Sequence, residues 1–128
     1  MKFLCLICAE VVMEGMPESD AEKHFQEYVE FTENIKASGH FVGANRLKPA
    51  NTATTLRVRD GKITTTDGPF AETKEQLGGY YVIEATDLND AIRVASRIPG
   101  ARHGCVEVRP IADNPQTLAL GFDIERRP

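Results

Sequence analysis

A chain of 128 residues is one domain's worth of protein, because roughly 150 residues per domain leaves little room for a second. Hydrophobic residues at 41% and charged residues at 27% are ordinary globular usage and exclude disorder, collagen and coiled coil. A net charge of −4 with a pI near 5.4 argues against a nucleic-acid-binding surface.

The chain opens M-K-F-L-C-L-I-C-A. The apolar run is short, Glu10 interrupts it, and no small-x-small cleavage site follows, so it reads as a buried strand over 2–9 rather than a signal peptide. No stretch approaches the ~18 apolar residues of a membrane span. Cys5, Cys8 and Cys105 are an odd set of thiols, which favours a reducing, cytoplasmic setting. Cys5 and Cys8 are three apart on a strand and point to opposite faces, so C-x-x-C is no redox or metal motif here. All three read as buried structural thiols.

Gly15 and Pro17 mark a loop. Ser19-Asp20-Ala21-Glu22 has the pattern of a capping box and predicts a helix over 20–37. Its apolar stripe is Tyr28, Phe31 and Ile35, edged by Ala21 and Phe25, and Gly39 supplies the stop. Residues 40–47 predict a second strand. Residues 54–59 and 62–66 flank Asp60-Gly61, a strong hairpin signal because both turn residues need positive φ. Residues 67–78 are rich in turn formers. Residues 79–85 predict a strand, Asp87 caps a helix carrying Leu88, Ile92, Ala95 and Ile98, and Pro99-Gly100 ends it. Residues 105–111 predict the last core strand.

Without the 54–66 hairpin the order is strand–helix–strand–strand–helix–strand, the ferredoxin-like βαββαβ plan of an α+β fold. That plan puts two helices on one face of an antiparallel sheet and leaves the other bare. Dimerisation covers it most simply. Residues 112–128 lie beyond this core. Leu118, Leu120, Phe122 and Ile124 alternate there with smaller or polar residues, the pattern of an edge strand or a dimer arm.

The most distinctive segment is Thr66-Asp67-Gly68-Pro69-Phe70-Ala71-Glu72-Thr73-Lys74-Glu75, followed by Leu77-Gly78-Gly79-Tyr80-Tyr81. It resembles the D-G-P-F branch of the YCII-related domain family, whose members carry D-G-P-F-A-E-T-K-E nearly verbatim. The likeness extends to Ala53-Thr54-Thr55-Leu56-Arg57 and to Val106-Glu107-Val108-Arg109-Pro110, and so covers residues 1–111. The resemblance implies a ferredoxin-like fold, a dimeric α/β-barrel-like assembly and a largely uncharacterised biochemistry. Some relatives act in aromatic degradation, and members often lie beside extracytoplasmic-function sigma factors. Shorter relatives carry a His on the first helix and an Asp near its end. Counted back from Gly39 without gaps, those positions hold Tyr28 and Ala37 here.

Asp67 at the hairpin end suits a turn, or a general base facing a pocket. Phe70 is a candidate pocket wall. Glu72, Lys74 and Glu75 form an alternating charge cluster, a solvated face or a ligand-binding one. Arg57, between Leu56 and Val58, is a candidate anion clamp on the helix-free face, with Arg46 and Arg109 behind it. His24 is one helical turn before Tyr28, a candidate acid–base pair. His103 lies in the loop before the last strand, and His40 is expected to be exposed. No zinc spacing is present, and Gly78-Gly79 precedes a strand, so it is no phosphate loop. Neither metal nor cofactor is implied; the glycines read as a close backbone approach or a bulge. The resulting expectation is a dimeric small-molecule-binding protein or enzyme doing proton-transfer chemistry on a small anionic or aromatic compound. A non-catalytic regulatory partner of a sigma factor is the alternative.

Overall fold

Strand β1 (Lys2–Ala9) runs through the middle of a four-stranded antiparallel sheet. A computed structural model describes residues 1–9, 16–70 and 74–113 of the chain. Helix α1 (Glu18–Ala37) leads to β2 (Phe41–Arg46), then to the paired strands β3 (Thr54–Arg59) and β4 (Lys62–Asp67). Strand β5 (Gln76–Glu84), helix α2 (Leu88–Ala95) and β6 (Gly104–Pro110) follow. The sheet order is β2-β5-β1-β6, with every neighbouring pair antiparallel.

Period-2 alternation divides the sheet. Phe3, Cys5, Tyr81 and Ile83 face the helices and are buried, with Val106 and Val108 packed beside them. Ile35 of α1, Ala91 and Val94 of α2, and Ile98 close that core. Full burial of a side chain such as Phe3 or Ile83 is worth about 1.5–3 kcal/mol. The opposite face carries Leu4, Leu6 and Cys8 of β1, in register with Val82, Tyr80 and Leu77 of β5. On its other side these residues meet Arg109, Glu107 and Cys105 of β6. No helix covers this face among the described residues.

The helix starts differ in how they are capped. Asp87 caps α2 as expected, its carboxylate accepting the Asp90 N–H at 2.8 Å. The Ser19–Glu22 capping box does not form. Extended Pro17 (φ −55°, ψ 148°) is the N-cap, and its carbonyl accepts the Ala21 N–H at 2.9 Å. Ser19 is then already inside the helix, and Glu18 and Asp20 complement the helix dipole in the first turn. The stripes are also narrower than expected. Phe25 is 56% exposed and Leu88 and Ile92 about half exposed, while Ala91 and Val94 do the packing on α2. His40 is half-buried rather than exposed. It bridges the helix ends, with Nδ1 2.7 Å from Ser38 Oγ and Nε2 3.2 Å from an Asp90 oxygen.

The Asp60-Gly61 turn forms, with φ of 52° and 75°. Its hairpin stands apart as a separate two-stranded sheet. Leu56, Val58 and Ile63 share one face, and Arg57, Arg59 and Lys62 the other. Such a ribbon is marginal in water by itself. Its open end is closed by Gly68 N–H to Ala53 O and Thr55 Oγ to Gly68 O, both 2.7 Å.

Strand β5 begins at Gln76, three residues before the expected start. A Cβ on Gly79 would lie 2.9 Å from Asn45 O, so close backbone approach explains that glycine. Only one thiol matches the buried reading: Cys5 is buried, Cys8 half-buried and Cys105 exposed. The alternating pattern at Leu118–Ile124 lies outside the described residues.

Candidate functional site

Helical spacing puts His24, Tyr28, Phe31 and Ile35 on the sheet side of α1. His24 is the buried polar residue at the upper end of this stripe, 9% exposed. Its ring meets Tyr28 edge-on, with centroids 5.1 Å apart. Tyr28 in turn stacks parallel to Tyr81 at 6.5 Å.

The turn after α2 completes the group. Residues Pro99–Arg102 form a 3-10 turn that delivers the Gly100 N–H to Tyr28 Oη at 3.0 Å. It also brings His103 to His24, with centroids 5.4 Å apart. A Cβ on Gly100 would sit 2.6 Å from Tyr28 Oη and 2.7 Å from Ile7 Cγ2. Gly100 is therefore a contact residue, and not just the helix stop its position suggested. Arg102 pairs with Glu27 on the outer side of α1.

These side chains line a pocket of about 250 Å³. Ile7, Ala44, Gly79, Leu77 and Tyr81 form its apolar wall, and Asn45, Arg46 and Lys48 bring polar groups to it. The volume is just below the ~300–1,000 Å³ of drug-sized sites, which suits a smaller molecule.

The electrostatics favour a neutral imidazole beside a protonated phenol. Burial pulls the His24 pKa below its ordinary value, with His103 and Arg102 pushing the same way against Glu27. Burial pushes the Tyr28 hydroxyl up, opposed by the Gly100 N–H. At neutral pH His24 can take a proton. Tyr28 Oη accepts from Gly100 and still has its own proton to donate.

The structure thus assembles His24, Tyr28, His103 and Arg46, four of the residues singled out in the sequence. It does not bring Asp67, Arg57, Phe70 or Lys74 to them, for none of these lines the pocket. Asp67 ends β4 and is exposed. Arg57 stands on the hairpin, not on the helix-free face of the main sheet, because the hairpin does not join that sheet. Phe70 is 84% exposed and does not wall this pocket, and Lys74 is exposed. Glu72 lies outside the described residues. Arg109 pairs with Glu107 at 2.6 Å on the helix-free face. Asn45, Lys48 and Leu77 were not legible as site residues: each is an ordinary residue at or just beyond a strand end, with no motif to mark it. Among the described residues no three His, Cys, Asp or Glu side chains gather as a metal would require. Among the described residues no helix is long and apolar enough to cross a membrane.

Fold and pocket together define a small α+β domain with an apolar, cation-bearing cavity where helix α1 meets the sheet. The profile of the YCII-related domain matches residues 1–114, and the chain belongs to that family. It is 46% identical over 69 residues to an uncharacterised protein of Rhizobium meliloti (strain 1021). That match takes in 52% of this chain and 56% of the relative, so the chain spans about half the length of the curated relative it matches. Among solved structures it is similar to the 5-chloro-2-hydroxyhydroquinone dehydrochlorinase of Burkholderia phenoliruptrix AC1100, in complex with 2,5-dihydroxybenzoquinone. The TM-score is 0.48 at 15% identity, covering 91% of this chain and 98% of that one.

Proposed function

We propose that the protein binds a small anionic or aromatic molecule in this pocket and moves a proton on it. The carrying observation is His24, kept neutral by burial, beside the Tyr28 hydroxyl in an apolar cavity. His24 is the base, Tyr28 the hydrogen-bond donor to the bound molecule, and Arg46 with Lys48 holds its negative end. A positioned acid–base pair contributes about 10²–10⁴-fold to a rate. Asp67 and Arg57 have no part in this reading.

We further read the strand order β2-β5-β1-β6 as the ferredoxin-like plan, with a second copy of the chain, in the cytoplasm, covering the helix-free face. Half-buried Leu4, Leu6 and Val82 on that face support the reading.

Titration of the full chain with benzoate-type and phenol-type probes, followed by NMR or calorimetry, tests the pocket. Binding is expected to weaken at least tenfold in His24→Gln and Tyr28→Phe, and less in Lys48→Ala. Probes that fail to bind, or bind equally well to both variants, overturn it. Sedimentation equilibrium tests the pairing, which a monomer at micromolar concentration refutes.

A further inference from the structure

Cys8 and Cys105 are separated by most of the sequence, yet they face each other directly across β1 and β6. Opposed residues of an antiparallel pair have Cα atoms about 4.5–5.5 Å apart, inside the ~4.4–6.8 Å range that a disulfide spans. The two thiols lie close enough to shift one another's titration. The strands approach closely at this point. A Cβ on Gly104 would run into the Cys8 carbonyl, and would lie 2.8 Å from Ala9 Cα. Cys105 is exposed, at the start of edge strand β6, and the nearby Glu75 carboxylate disfavours its thiolate. Glu75 closes the sequence's most distinctive segment, which the pocket otherwise leaves unused.

We propose that Cys8 and Cys105 are a dithiol site that closes to a reversible intramolecular disulfide by exchange with a small-molecule disulfide. Cys105 is the attacking thiol because it is the exposed one in the single chain, so exchange takes place there, before a second copy covers this face. The Cys105 proton passes to solvent. The Cys105 sulfur bonds to one sulfur of the small disulfide, whose S–S bond breaks to release one thiolate. Cys8 then loses its proton and attacks the Cys105 sulfur, expelling the second small thiolate. Both thiolates take up protons. The protein has lost two electrons and two protons, and one small disulfide has become two thiols.

Cys5 takes no part. It lies on the other face of β1, and burial pushes its thiol up to about 11. The reacting thiols are also held protonated. Burial comes first for both; Glu75 and Glu107 oppose either thiolate, and Cys105 also opposes that of Cys8. Exchange is therefore slow at neutral pH and faster as pH rises.

This site does not rest on the pocket chemistry, and its test reads mass rather than binding. The native full chain is incubated with oxidised glutathione, denatured and alkylated. The expected product takes up one alkyl group in place of three, yields a Cys8–Cys105 linked peptide, and regains three groups after dithiothreitol. Cys8→Ser is expected to stop at a glutathione adduct on Cys105, and Cys105→Ser to keep its two thiols free. Three thiols that remain free in the wild type overturn the proposal. So does a stable wild-type glutathione adduct, or a Cys105–Cys105 link between two chains.

Discussion

The end of the molecule around His24 and the β3–β4 hairpin differ in almost every physical respect. Around His24 the groups come from α1, the sheet and the turn after α2, and they pack together, with His24 buried, Tyr28 half-buried and His103 at the exposed rim. On the hairpin the side chains are exposed, and the strands bond only to each other within the sheets. Yet the hairpin and the segment after it carry the most recognisable sequence. A motif identifies a family by its residues, whereas a site needs residues brought together. Here the second condition is met by plain helix positions and a glycine.

Substitutions that separate these two regions should do so by size. Phe3→Ala removes a fully buried ring and is expected to cost about 3–5 kcal/mol. Ile63→Ala on the hairpin, where the side chain is 71% exposed, should stay within about 0.5 kcal/mol. Urea denaturation at one protein concentration compares them. A larger loss at Ile63 would mean that the hairpin face is covered in solution.

Gly100→Ala comes next. Its methyl group meets Tyr28 Oη and Ile7, and overpacking of this kind costs about 1–3 kcal/mol. Thermal unfolding reads that loss, and probe titration should show weakened binding. A variant with unchanged melting would show that the Gly100–Tyr28 approach is looser than described.

The pH dependence is smaller and has a definite sign. His24 has a lowered pKa in the folded chain, so the unfolded chain binds its proton more readily. Its contribution is intact above the unfolded value of about 6.5 and is lost as pH falls below it. Wild-type stability should therefore drop through that window more steeply than that of His24→Gln, measured by denaturation at stepped pH. Parallel curves would remove the buried, neutral imidazole from the account.

Asp67→Asn and Arg57→Ala should have the smallest effect. Both side chains are exposed and away from the pocket, so probe affinity should remain within twofold. A larger loss would return the hairpin to the site.

Much of the fold was legible because its causes are local. The Asp60-Gly61 turn follows from two residues that tolerate positive φ, and α2 starts where Asp87 can accept an N–H. The capping box was misleading because Pro17 set the start of α1 two residues earlier. His24 and Tyr28 were legible as a pair one helical turn apart. Arg57 was misplaced because alternation gives the face of a strand but not the sheet to which the strand belongs. Phe70 looked like a wall because hydrophobicity alone does not reveal burial.

By itself, then, the sequence determined the order of strands and helices, the tight hairpin, the membership of the YCII-related family and the face of α1 that meets the sheet. These depend on periodicity, turn chemistry and motif, which act over a few residues. Only the tertiary structure decided that Gly100 would meet Tyr28, that His103 would approach His24, and that Cys8 would oppose Cys105. Each pairing joins residues far apart in the chain, and sheet order and strand register, which no local pattern encodes, bring them together.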